Sequence, residues 1–218
     1  MRADLHAHTT ASRDAVTTPR GLIRAARRAG LDAVAVTDHD SIAAWDEVGY
    51  WGRREGVLVI PGVERRVTVA GRSAGDLVCL FLRAMVVSRD AAEVVREVRD
   101  QGGLVAAAHP FRGRKPFRRL EEVTRLAVAI EVLNGRTYGA AGNRRAADEA
   151  RRLGLAVSAG SDAHTPFEVG AARVVAAAPD LEGLKCALAA GEVFVEGRVS
   201  HPLFSLCSYF GRWGLRVG

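Results

Sequence analysis

Seven short apolar runs, at residues 3–5, 33–37, 57–60, 77–82, 104–108, 127–133 and 155–159, alternate with helical patterns along this chain. Of all its features, this alternation most narrows the possible folds. "GLIRAARRAG" follows Thr18 and Pro19, a capping residue and a first-turn proline, and closes on Gly30. "SIAAWDEVGYWGRREG" predicts a helix from Ser41 to Gly56, "RDAAEVVREVRDQGG" one ending at Gly102 and Gly103, and "GNRRAADEARRLG" one ending at Gly154. Residues 180–191, "DLEGLKCALAAG", predict another. Strands alternating with helices imply a parallel sheet, and runs apolar at nearly every position imply a sheet covered on both faces. A wound sheet or a barrel satisfies both conditions.

The residues that end these runs are not apolar. His6 and His8 end the first, "TDHD" with His39 follows the second, and "PGVE" with Glu64 follows the third. His109 follows the fifth, Glu131 and Asn134 close the sixth, and "GSDAH" with Asp162 and His164 follows the seventh. Five of the six histidines therefore lie at strand ends or in the loops after them, and only His201 falls outside the pattern. In a closed parallel barrel such ends gather at one mouth, where barrel sites are built. His6 and His8 are two apart, so on an extended strand both imidazoles face one side.

A cluster of imidazoles and carboxylates without thiolates suits manganese, iron or zinc. His6, His8, Asp14, His39, Glu64, His109, Asp162 and His164 outnumber the ligands of one tetrahedral ion, so two or three ions with bridging carboxylates are expected. Such a centre activates water for hydrolysis. By itself it selects neither a phosphoester nor an amide or lactam bond.

Composition bounds the rest. With 218 residues, 48% hydrophobic and 26% charged, the chain is expected to be one domain. No apolar run approaches the roughly 18 residues of a membrane helix, and Arg2 and Asp4 stand too early for a signal peptide, so a cytoplasmic address without a membrane partner is expected. Cys79, Cys186 and Cys207 show no paired spacing and read as small buried hydrophobes. The net charge of +6 favours anionic substrates, although nearly every basic residue is arginine.

Taken together, "DLHAHTTASRDA", "GLDAVAVTDHDS", "PGVE", "AAHPF", "IEVLNGR" and "SAGSDAHTP" resemble the polymerase-and-histidinol-phosphatase (PHP) family, in order from about residue 2 to residue 170. "AGEVFVEGRVSHPL" resembles the tail of its stand-alone members. The resemblance implies an α/β fold: a distorted seven-stranded (β/α)7 barrel with its metal site at the C-terminal ends of the strands, and phosphoester hydrolysis by metal-activated hydroxide. Carried over, it puts His6, His8, Glu64 and Asp162 around one ion and Asp14, His39 and His164 around a second, with Glu64 bridging towards a third near His109. His39 and His164 are the candidates for proton transfer. At the start of the fourth strand, where many members carry histidine, this chain has Asp76, a shorter and charged candidate ligand for the third ion. Arg65, Arg112 and Arg136, with Arg144 behind them, are candidates to hold a substrate phosphate through guanidinium forks. Glu131 and Asn134 are candidates to orient an imidazole.

A small phosphorylated substrate, a nucleotide or a nucleic-acid end is the expected partner. The competing readings are an amide or lactam hydrolase and a non-catalytic, metal-stabilised module. The oligomeric state is not legible in the sequence, and the C-terminal stretch, "LFSLCSYFGRWGLRVG", is expected to dock on the barrel.

Overall fold

The computed structural model describes residues 1–113, 116–126, 129–206 and 216–217. Nine strands, β1 (Arg2–Asp4), β2 (Ala33–Val36), β3 (Leu58–Val69), β4 (Arg72–Leu80), β5 (Leu104–Ala107), β6 (Ala129–Asn134), β7 (Val157–Gly160), β8 (Ala172–Val175) and β9 (Phe194–Gly197), form one sheet ordered β7-β6-β5-β4-β3-β2-β1-β8-β9. Six helices, α1 (Pro19–Arg28), α2 (Trp45–Glu55), α3 (Ala91–Asp100), α4 (Leu120–Thr124), α5 (Ala140–Leu153) and α6 (Leu181–Ala190), complete the described fold. Among the described residues no helix is long and apolar enough to cross a membrane.

The sheet curls until it nearly closes. Beyond β1, Leu5 N donates to Ala159 O (3.3 Å), and His8 N donates to Ala163 O (2.9 Å). From the other side, Asp162 N donates to His6 O (2.7 Å). Lower on β1, β8 pairs antiparallel with Arg2 and Ala3. Alternation along the strands then sorts the side chains. Ala33 and Ala35 of β2 join Ala3, Leu5, Ile60, Val78 and Ala159 in an interior cluster, which Leu184 and Leu188 of α6 also join. Val34 and Val36 point outward against Leu22, Ile23 and Val48 of α1 and α2. The small interior residues leave room for a plugged base, and β8 delivers α6 to it because it runs antiparallel to β1.

Helix ends follow the sequence signals. Thr18 accepts from Gly21 N (3.0 Å) with Pro19 opening α1, Asp90 caps α3 and Asp180 caps α6, and Gly56, Gly154 and Gly191 end helices in the left-handed conformation. Helix α2 starts at Trp45 instead of Ser41, because the Ser41 hydroxyl caps a local turn through Ala43 N.

The structure corrects the seven-stranded parallel expectation. Strand β4 is antiparallel to both β3 and β5. It forms a long hairpin with β3 that turns at Ala70 and Gly71, both at positive φ, as a two-residue hairpin loop with the right twist requires. The polar "ERR" within β3 hid the continuation of that strand past residue 60 and so the hairpin, and the short, partly exposed β8 and β9 lack a continuous apolar run. The first two residues of the sixth expected strand, 127 and 128, and Cys207 with most of the expected C-terminal docking segment lie outside the described residues. Val217 is described, and it hydrogen-bonds the 16–18 segment. Cys79 is buried as expected, whereas Cys186 is exposed on α6.

Gly160 is where β7 passes closest to β1. A Cβ there would lie 2.2 Å from His6 Cβ and 2.6 Å from His6 N, inside any real contact distance. Gly160→Ala is expected to cost about 2–3 kcal/mol, the scale of overpacking. A thermal melt should show Tm lower by roughly 5–10 °C, and an unchanged Tm would contradict this strand contact.

Candidate metal centre

At the C-terminal ends of the parallel strands the histidines converge. Ring centroids lie 5.1 Å apart for His6 and His8, 4.5 Å for His8 and His39, 4.4 Å for His8 and His164, and 5.8 Å for His6 and His109. Glu64 stands at the centre. Its Oε2 is 3.4 Å from Nε2 of both His6 and His8 and 2.9 Å from His39 Nδ1, and its Oε1 is 2.9 Å from His109 Nε2. Asp162 Oδ1 is 3.3 Å from His8 Nε2, while Asp14 Oδ1 is 3.7 Å from His39 Nε2 and 3.6 Å from His164 Nε2. Three trios could each hold an ion: His6, His8 and Asp162; His8, His39 and His164; His6, Glu64 and His109.

A second layer fixes which nitrogen of each ring faces the centre. His6 Nδ1 donates to Glu131 Oε1 (2.9 Å), leaving the Nε2 lone pair inward. Ser12 Oγ donates to Asp38 Oδ1 (2.7 Å) and accepts from His39 N (3.0 Å), so at 3.3 Å it also accepts from His8 Nδ1. His164 Nδ1 donates to the Asp162 carbonyl (2.8 Å), which again leaves Nε2 free. Partners of this kind orient metal-bound imidazoles and raise their basicity.

The layer also ties the loops together. Glu131 Oε2 accepts from His109 N (2.7 Å) and Asn134 Nδ2 (3.0 Å), and a register shift in β6 lies just beyond Glu131. Asp38 accepts from the amides and hydroxyls of Thr9 and Ser12. Asp4 accepts from His6 N, Ser161 N and Gly170 N. Glu168 Oε2 accepts from the amides of His164 and Thr165. His109 and Asp162 hold positive φ, 31° and 54°, a conformation that ordinary residues keep only where the surroundings enforce it.

The electrostatics call for cations. Although burial opposes it, the carboxylates of Glu131, Glu64 and Asp162 raise the His6 pKa well above its usual value. His39 is likewise driven against burial up to about 9, chiefly by Glu64. His8, buried and facing His164 and His39, is pushed down to about 3 and stays neutral. Burial lifts Asp4 to about 6, and Glu64 and Asp162 are held far below the carboxylate range against their own burial, Glu64 by His39 and His6 and Asp162 by Arg112 and His6.

Eight of the nine sequence-derived ligand candidates thus meet at this centre. Asp76 does not join them: its Oδ1 accepts from Arg66 Nε (3.1 Å), and no donor group among the described residues includes it. Of the candidate arginines, Arg112 alone reaches the centre, Nη1 to Asp162 Oδ2 at 2.5 Å. Arg65 points to the opposite side of β3 from Glu64. There it binds Asp40 Oδ1 (2.6 Å) and the carbonyls of Ser88 and Val87, because neighbouring strand residues face opposite ways. Arg136 is buried against Glu168 Oε1 (2.8 Å) and the Phe204 carbonyl (3.1 Å), and Arg144 lies exposed on α5. These corrections make Arg65 and Arg136 braces of the site loops.

Sequence reasoning passed over Asp4, Asp38, Ser12 and Glu168. Asp4 and Asp38 each had one available signal: Asp4 is a charged residue inside the apolar run 3–5, and Asp38 is a strand-end carboxylate beside His39.

A nearly closed α/β sheet carrying a histidine- and carboxylate-lined mouth defines a barrel-like protein with a candidate metal centre. The PHP domain profile matches residues 4–129 and the PHP-associated profile residues 141–193, so the chain belongs to the PHP domain family. It is 32% identical over 122 residues to the Methanocaldococcus jannaschii protein MJ1587, covering 51% of this chain and 68% of that protein. With MJ0417 of the same organism it shares 29% identity over 182 residues, 80% of this chain and 70% of that one. A 5′-3′ exoribonuclease of Haemophilus influenzae is 41% identical over 69 residues, 32% of this chain and 25% of the enzyme. Among solved structures, a Bacteroides vulgatus two-domain protein described as containing a predicted PHP-like metal-dependent phosphoesterase superposes with a TM-score of 0.75 at 20% identity, covering 97% of this chain and 69% of that one. PsfC of Pseudomonas syringae gives a TM-score of 0.68 at 21% identity, with 98% of each chain covered.

Glu131→Gln removes the charge behind His6 while keeping the side-chain shape. Affinity for Mn or Zn, measured by chelator competition and elemental analysis, is expected to weaken about 10- to 100-fold without loss of the fold.

Proposed function

We propose that this chain is a metal-dependent phosphoesterase of the cytoplasm, acting on phosphomonoesters, nucleotides or nucleic-acid ends with two or three divalent ions, Mn, Fe or Zn. The observation that carries it is the set of buried polar atoms without a hydrogen-bond partner: His6 Nε2, His8 Nε2, Asp14 Oδ1 and Glu64 Oε2. A buried donor or acceptor left unpaired costs about 1–3 kcal/mol, and here those of His6, His8 and Glu64 face one another while that of Asp14 faces His39 and His164 beside them. Cations fit that donor set.

Counting donors distributes them. Each imidazole offers one inward nitrogen, so the overlapping trios cannot all be filled at once. His6, His8, Asp162 and Glu64 make one full set, and His39, His164 and Asp14 make another. Glu64 and His109 remain for a third ion, which Asp76 does not complete because it is engaged by Arg66. Divalent ions bound in such sets supply positive charge against phosphoryl oxygens and make water more acidic near neutral pH.

The chain's own groups complete the reading. Arg112 keeps one nitrogen on Asp162, and its side chain is 31% exposed. Its other guanidinium donors therefore suit a phosphate in the mouth. His164 is tied through Nδ1 and serves as a ligand. His39, with 37% of its side chain exposed, is the most solvent-open histidine of the centre, and when not taken up as a ligand it is the candidate to move a proton to the leaving oxygen. The free thiols of Cys79 and Cys186 accord with a reducing compartment. The likeness to a 5′-3′ exoribonuclease over 69 residues supports phosphorus over an amide carbon as the centre attacked.

Elemental analysis of the purified protein is expected to return two to three ions per chain. Phosphate release from a panel of phosphomonoesters and nucleotides with added Mn, Zn or Mg should fall at least about 1,000-fold in His8→Ala. Amine release from amide or lactam substrates in place of phosphate would overturn the phosphoesterase reading. A metal-loaded protein silent on every substrate would favour the non-catalytic module.

A further inference from the structure

The β3–β4 hairpin rises past the metal centre. Glu64 faces the centre, Arg65 turns to the far side, and Arg66 returns to the side of Glu64, about 7 Å further along the strand. Across the hairpin, Glu64 is paired with Val78, which lies in the interior cluster, and Arg66 is paired with Asp76, which therefore shares that inward face.

Asp76 is the more sheltered partner, with 20% of its side chain exposed, and it holds Arg66 Nε at 3.1 Å. The Arg66 side chain is 63% exposed, and its two terminal nitrogens have no partner among the described residues. Asp76, and beyond it Glu64 and Asp40, raise the pKa of its guanidinium, which accords with a position beside the centre. Half-exposed ion pairs of this kind add little to stability. This one fixes the Nε edge of a guanidinium that stands on the inward face beyond Glu64 and leaves its terminal nitrogens, a planar fork that matches two phosphate oxygens at once, to other partners.

We infer that Arg66, positioned by Asp76, forms a second anion subsite on the rim of the mouth, which binds a phosphate of the substrate other than the one hydrolysed. This rests on the phosphoesterase reading and narrows it to substrates with two phosphate groups a few ångströms apart, as in an oligonucleotide end.

The test compares adenosine 5′-monophosphate with the 5′-phosphorylated adenylyl dinucleotide, using metal-loaded wild type, Arg66→Gln, Arg66→Lys and Asp76→Asn. The preference for the dinucleotide, taken as the ratio of kcat/KM values, is expected to fall about tenfold in Arg66→Gln. Arg66→Lys should retain most of it, and Asp76→Asn should fall between. An equal loss on both compounds, or no change in the ratio, would overturn the subsite. Calorimetric affinities for the same compounds decide the matter separately. If the wild type hydrolyses neither compound, the phosphoesterase reading fails, while the subsite stands or falls on whether Arg66→Gln weakens dinucleotide binding more than mononucleotide binding.

Discussion

Negative charge gathered in one buried place is the condition on which the rest of this structure depends. Glu64, Glu131 and Asp162 are almost fully inaccessible, with Asp14 beside them. Removing an ionised carboxylate from water costs several kcal/mol even after relaxation, so the cluster persists only with compensating cations. The Arg112 guanidinium supplies part of that charge, and the carboxylates' upward pull on the pKa values of His6 and His39 marks the demand for more. The unpaired inward atoms of His6, His8, Asp14 and Glu64 mark where the remainder belongs.

The closure of the sheet and the organisation of the centre are the same set of contacts. Asp4, at the end of β1, binds amides of the loop after β7, and Asp38, after β2, binds the loop that follows His8. Glu131 of β6 binds both the His6 ring and the amide beginning the loop after β5. Each carboxylate links strand ends that are distant in sequence. The main-chain bonds between the ends of β1 and β7 complete the ring, and Gly160 permits the approach. A change in any of these supports moves a donor at the mouth as well as a strand.

The arginines divide by the side of the strand they occupy. Arg65 leaves β3 outward and, with Arg89, clasps Asp40, which sits beside His39. Arg136 is buried under Glu168, which holds the amide of His164. Both work on the centre through a loop. Arg112 and Arg66 stand on the inner side, where each holds a carboxylate, Asp162 and Asp76.

Much of this could be read along the chain. Pairs such as His6 and His8, or Asp162 and His164, and the polar residues closing apolar runs marked the residues that meet at the candidate centre, because strand periodicity and strand-end chemistry are local. The helix cap at Thr18 and the stops at the glycines were legible for the same reason. What the tertiary structure decided is non-local. The direction of β4, the addition of β8 and β9, the engagement of Asp76 by Arg66 and the diversion of Arg65 and Arg136 all depend on which residue lies across a strand pair or under a loop. Residue type shows that an aspartate could bind a metal or an arginine a phosphate. Only the pairing of strands determines which partner reaches it first.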